Sequence, residues 1–177
     1  MNIANKLTVF RIVLIPFFVL FMLTQFTEYN RLFALIIFII ASITDHFDGH
    51  IARKYNMVTT FGKFMDPIAD KLLVSSALIC LTALGTSPAW AVIVISLREF
   101  AVSGLRLIAA ENGGVIAAAG WGKAKTASQL VAIILLLLPI PQLYSVAIIV
   151  FYISVVLTVI SLIDFMLKNK KLLITDK

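Results

Sequence analysis

From Thr126 to Ile163 the chain runs through 38 residues without an Asp, Glu, Lys or Arg, and from Leu72 to Leu97 through another 26. A helix that crosses a bilayer needs roughly 20 apolar residues, so the longer run can hold two spans and the shorter one a helical hairpin. Soluble domains carry about 25% charged residues. Here the charged share is 14%, the hydrophobic share 61% and the mean hydropathy +1.04. The sequence reads as an integral membrane protein. Its 177 residues allow about six spans with short connections and no separate soluble domain. The expectation is an all-α bundle of six transmembrane helices forming one domain over residues 1–177.

Breakers divide that bundle. The spans are expected at about Leu7–Leu23, Arg31–Lys54, Gly62–Leu84, Ala89–Glu111, Trp121–Leu138 and Gln142–Leu167. Gly85-Thr86-Ser87-Pro88 and Pro139-Ile140-Pro141 are turns, because Gly tolerates positive φ and Pro cannot continue a helix. The stretch Ile12–Leu23 has the length of a signal-peptide core, but no small-residue cleavage site follows it, so it reads as a retained first helix. Cys80, the only cysteine, rules out an intrachain disulfide and a thiolate metal cluster.

The net charge of +6 is a statement about topology. Lys6, Arg11, Arg53, Lys54, Lys63, Lys71, Arg106, Lys123, Lys125 and the lysines after Leu167 fall on one side of the expected bundle, whereas the opposite connections hold Arg31. The positive-inside rule then puts both termini, the loop between spans two and three and the loop between spans four and five in the cytoplasm of a multi-pass plasma-membrane protein. No basic run with interleaved aromatics lies outside the spans, so nucleic acid is not an expected partner.

Four aspartates form one pattern: Asp45-x-x-Asp48-Gly49-x-x-Ala52-Arg53, eight residues, then Gly62-x-x-x-Asp66-x-x-x-Asp70. Asp45, Asp48, Gly49 and Ala52 fall at i, i+3, i+4 and i+7, one helix face, and Asp66 and Asp70 at i and i+4 share another. The short connection between them makes the two helices antiparallel neighbours with all four carboxylates near one end. Carboxylates at such depth cost several kcal/mol each unless neutralised. Protonation, basic partners or two divalent cations could do this, and oxygen-only ligands select Mg²⁺ or Mn²⁺. A two-metal site suits in-line displacement at phosphorus. Gly49 and Ala52 would let a flat or bulky group approach the helix backbone. The competing reading is a structural ion-pair network with Arg53, Lys63 and Lys71.

The string resembles the CDP-alcohol phosphotransferase signature, with every fixed position matched. The opening Asn5–Arg11, the stretch Arg98–Arg106 and Gly122–Thr126 are similar to the bacterial branch that makes phosphatidylglycerophosphate. Ala4 stands where that branch usually has proline, and His46 and His50 where aromatics are common. The resemblance implies that Asp45, Asp48, Asp66 and Asp70 hold two divalent ions, with Asp70 also the candidate general base. It places Gly49, Ala52, Arg53 and Gly62 against the CDP group. It further implies a homodimer, and transfer of the phosphatidyl group of CDP-diacylglycerol to sn-glycerol 3-phosphate, giving phosphatidylglycerophosphate and CMP.

The remaining candidates come from position. Arg98 falls about mid-span in the fourth helix; with Arg106, Lys123 and Lys125 it could form a site for the acceptor phosphate, arginine binding bidentately. Arg98 could instead pair with a neighbouring acid, Lys125 could be a topological flank, and Arg53 a helix-end cation. Asn5, Thr8 and Arg11, at i, i+3 and i+6, either contact the lipid substrate's head group or anchor the first helix. His46 and His50, one turn apart, could ligate a metal, although four carboxylates already suffice. Within the family the alternatives are cardiolipin or phosphatidylinositol-phosphate synthesis. Outside it, a cation transporter would use the same aspartates but predicts repeated halves and broken helices, which the sequence lacks. A membrane-embedded scaffold leaves the spaced polar and small residues unexplained.

Overall fold

The computed structural model describes residues 3–54, 60–111 and 120–170; the side chains at 3–4, 45–54, 60–64, 66–67 and 110–111 lie outside the described set. Six α-helices run through the described residues, with no strand among them: α1 Ile3–Leu23, α2 Asn30–Lys54, α3 Thr60–Ala83, α4 Ala89–Glu111, α5 Gly120–Leu137 and α6 Tyr144–Lys168. Two elements depart from the expected boundaries. Helix α1 already includes Ile3–Lys6, ahead of the expected Leu7, and this added turn brings Asn5 onto the buried face it shares with Thr8 and Arg11. Pro141–Leu143 forms a separate 3-10 turn before α6, where the Tyr144 N–H reaches the Pro141 carbonyl. The stretch Asn112–Gly114, expected as a loop, lies outside the described residues.

The connections follow local chemistry. After α3, Gly85 takes φ 70°. Its N–H donates to the Thr82 carbonyl (2.9 Å) and the Thr86 N–H to the Leu81 carbonyl (2.8 Å). That paired closure satisfies the last carbonyls of the helix and needs a left-handed residue, which glycine supplies. Between α1 and α2, Asn30 is buried and ties the turn together: its side-chain oxygen accepts from the Thr27 N–H at 3.0 Å, while its amide donates to the Thr24 carbonyl.

Packing then sets which helices carry the site. Helix α5 lies chiefly along α6, and α1 bridges α2 and α3. On α6 the buried residues Ala147, Phe151, Ser154, Thr158, Ser161 and Phe165 recur at helical spacing. The small ones allow close approach of α5, which buries Ala132, Ile133 and Leu136. The Ser154 and Thr158 hydroxyls donate to their own helix at 2.7 Å each, so neither is stranded. Toward α1 and α2 the core closes on Phe18 and Phe38, with centroids 5.9 Å apart. Large apolar side chains also cover the outside: Ile93, Leu97, Phe100, Leu107, Ile149 and Val156 are all exposed. An exterior of this kind suits lipid. Two stretches, Asn5–Leu23 and Pro141–Lys168, are long and apolar enough to cross a membrane, and Asn30–Thr44 is a shorter apolar helix.

Candidate active site

An open notch of about 690 Å³ lies at the end of the bundle with the α1–α2 connection, among Thr24, Gln25, Glu28, Arg31 and Leu84. Its charged residues, Glu28 and Arg31, are exposed. The buried charge is at the other end, and that is where chemistry is expected.

There a three-helix ionic cluster is built around a residue that the motif reading passed over. Glu99 on α4 accepts from Arg98 Nη1 at 3.0 Å and from Lys125 Nζ on α5. Arg98 also donates through Nη2 to Ser161 Oγ on α6 at 2.8 Å. Arg98 and Lys125 are buried, 8% and 2% exposed, so the carboxylate between them is what makes two cations tolerable at that depth. Asp70 and Lys71 on α3 lie within electrostatic reach of the same cluster. Gly122 makes the close approach possible: a Cβ there would stand 3.3 Å from Arg98 Nη2 and 3.8 Å from Ser161 Oγ.

The expected site residues divide into five sets. Arg98 and Lys125 are brought together, and Glu99 bridges them. Arg106 and Lys123 are exposed. Asn5, Thr8 and Arg11 are buried on one face of α1 and each engages a neighbour. Asp70 is half-buried on α3 and faces a small cavity shared with Lys71, Glu99 and Lys125. The side chains of Asp45, His46, Asp48, Gly49, His50, Ala52, Arg53, Gly62 and Asp66 lie outside the described residues. Their backbones continue α2 and α3 as regular helix, so the i, i+3 and i, i+4 registers of the aspartates hold. An all-carboxylate donor set on two such helices fits a hard divalent cation. Missing from the motif reading were Glu99, Ser161 and Gln129. Glu99 adjoins Arg98 in sequence, and an acid beside a deep arginine was the available signal; Ser161 and Gln129 carry none of that kind.

The geometry defines a helical, apolar-surfaced protein with a buried ionic site next to the acidic signature. A model of the CDP-alcohol phosphatidyltransferase family matches residues 1–160, and the chain belongs to that family. It is 52% identical over 149 residues to the CDP-diacylglycerol–glycerol-3-phosphate 3-phosphatidyltransferase of Bacillus subtilis (strain 168), covering 77% of each chain. The protein of the same name from Haemophilus influenzae (strain ATCC 51907 / DSM 11121 / KW20 / Rd) is 41% identical over 173 residues, 93% of this chain and 91% of the relative. A probable phosphatidylglycerophosphate synthase of Mycobacterium tuberculosis (strain CDC 1551 / Oshkosh) is 46% identical over 167 residues, 93% of this chain and 79% of the relative.

Proposed function

We propose that this chain transfers the phosphatidyl group of CDP-diacylglycerol to sn-glycerol 3-phosphate, releasing CMP, as a multi-pass enzyme of a bacterial plasma membrane with its site on the cytoplasmic side. The observation that carries the reading is the juxtaposition of Asp70, last member of the family signature, with the buried Arg98–Glu99–Lys125 cluster. The acceptor must present a hydroxyl to phosphorus while its own dianionic phosphate is held nearby. Asp70 is the group that holds or accepts the hydroxyl proton. The cationic side of the site, Arg98 and Lys125 with Arg106 and Lys123 toward the surface, receives the phosphate. Helix-end residues Gly49, Ala52, Arg53 and Gly62 frame the CDP moiety, with Asn5 and Thr8 toward the lipid head group.

Asp45, Asp48, Asp66 and Asp70 would hold two Mg²⁺ or Mn²⁺ ions, which when bound supply charge neutralisation at the pyrophosphate. Two copies of the chain form a homodimer in this reading, and the acyl chains of the substrate stay in lipid. The test is purified protein in detergent with CDP-diacylglycerol, Mg²⁺ or Mn²⁺, and a panel of acceptors, following CMP release and the lipid product. Glycerol 3-phosphate is expected to be used far better than inositol phosphate or phosphatidylglycerol; preference for either of the others overturns the assignment. For topology, Met57→Cys in a Cys80→Ser background should be shielded from impermeant maleimide in intact cells. Labelling from outside reverses the orientation.

A further inference from the structure

Beneath the ionic cluster lies a small cavity of about 30 Å³ among Asp70, Ser75, Ile95, Glu99, Lys125 and Gln129. Its walls change character with depth. Asp70 and Lys125 stand at the level of the charged cluster, whereas Ser75 and Gln129 lie about one helical turn further in, Gln129 four residues beyond Lys125 on α5. Gln129 is 2% exposed, and its Nε2 has no hydrogen-bond partner. An unpaired buried amide donor is costly, so a site that keeps one is built for a partner that arrives. The space exceeds the roughly 10–15 Å³ that one water requires and is too small for a phosphate or a hydrated ion. A neutral N–H donor in such a space suits a neutral oxygen: a hydroxyl.

With the acceptor placed as proposed above, on which this step rests, its primary hydroxyl is at Asp70 and its phosphate at the cations. The group left over is the secondary hydroxyl between them. We infer that Gln129 donates from Nε2 to the secondary hydroxyl of the acceptor, making it a specificity-determining residue for a polyol phosphate over its deoxy analogue. The other source of the same oxygen is a bound water, and the two are separable.

The experiment compares kcat/KM for sn-glycerol 3-phosphate and for 3-hydroxypropyl phosphate, which has the same three carbons, primary hydroxyl and phosphate but no secondary hydroxyl. The native chain is expected to favour glycerol 3-phosphate by roughly tenfold or more, since a site built to bond a hydroxyl rejects the analogue lacking it. Gln129→Met should bring the ratio near one, chiefly by loss on glycerol 3-phosphate. The ratio is internal to each preparation, so an inactive fraction cancels; Gln129→Leu serves the same purpose if the methionine variant does not express. A native ratio near one, or a ratio kept by the variants, overturns the inference and leaves the cavity to water. Failure of the underlying reading looks different, because the native chain would then release no CMP with either acceptor.

Discussion

At the end of the bundle formed by Gly85–Pro88 and Pro139–Leu143, polar groups are satisfied by neutral partners, mostly backbone carbonyls: the Gly85 and Thr86 N–H groups by their own helix, Ser87 by Thr82, and Arg31 Nη2 by the Leu136 carbonyl of α5 at 3.0 Å. At the opposite end a carboxylate on α4 joins an arginine beside it to a lysine on α5, and the arginine reaches a serine on α6. The first end is closed by backbone geometry, which tolerates single side-chain changes. The second depends on charges taken out of water, where removing one partner leaves the other exposed to the full desolvation cost. Substitutions at the charged end should therefore change kinetics, and those at the turn end stability alone.

The largest effect is expected at the signature. Asp66→Asn and Asp45→Asn each remove one carboxylate of the proposed four, and activity should fall at least about a hundredfold, with a higher metal concentration needed for half-maximal rate. Excess chelator should abolish CMP release, and Mg²⁺ or Mn²⁺ should restore it. Full turnover in chelator would move the chemistry away from these aspartates altogether.

Next comes Glu99. Glu99→Gln keeps the shape and removes the charge that holds Arg98 and Lys125 together. Breaking a buried pair costs about 3–5 kcal/mol, so thermal unfolding in detergent should occur at clearly lower temperature. Lys125, no longer held, should leave the acceptor site, raising KM for glycerol 3-phosphate on the order of tenfold with KM for CDP-diacylglycerol unchanged. A fall in the acceptor KM would mean that Glu99 competes with the phosphate for the cations instead of presenting them.

Sequence and structure part company between these two predictions. The helices were legible because charge-free runs and Gly/Pro breakers show directly in the sequence, and α4 starts where expected, at Ala89. The aspartate pattern was legible because its spacing is within single helices. For Glu99 half was legible: the pairing of Arg98 with a neighbouring acid is the Arg98–Glu99 contact, but the bridge to Lys125, 26 residues away, depends on how α4 lies against α5. Ser161 is 63 residues from Arg98, and its hydroxyl in an apolar run looks no different from that of Ser154, which merely bonds its own helix. Long-range pairing of polar groups has no period to read.

Gly122→Ala tests how tightly the charged end is packed. The added methyl at 3.3 Å from Arg98 Nη2 is closer than comfortable contact, but the guanidinium tip can shift by a few tenths of an ångström. The cost should be about 1 kcal/mol, at the low end for overpacking. Because Arg98 moves with it, KM for glycerol 3-phosphate should rise about threefold, read from saturation curves at fixed CDP-diacylglycerol. A stability change with no kinetic change would separate Arg98 from the acceptor site.

The smallest effect belongs to the turn end. Ser87 is 4% exposed, and its hydroxyl lies 3.0 Å from that of Thr82. Thr82 uses its own proton on the Leu78 carbonyl at 3.0 Å, so Ser87 is the donor between them. Ser87→Ala deletes that one bond while leaving Thr82 paired to its helix, and the Gly85 closure does not involve the serine side chain. The loss should be about 1 kcal/mol, a fall in Tm of about 2–4 °C for a chain of this size. Both KM values and kcat at 25 °C should match the native chain, because no charge is exposed and α3 keeps its last turn. A kinetic change in Ser87→Ala would mean that α3 transmits movement along its length from the turn to Asp70, and the two ends could no longer be treated as independent.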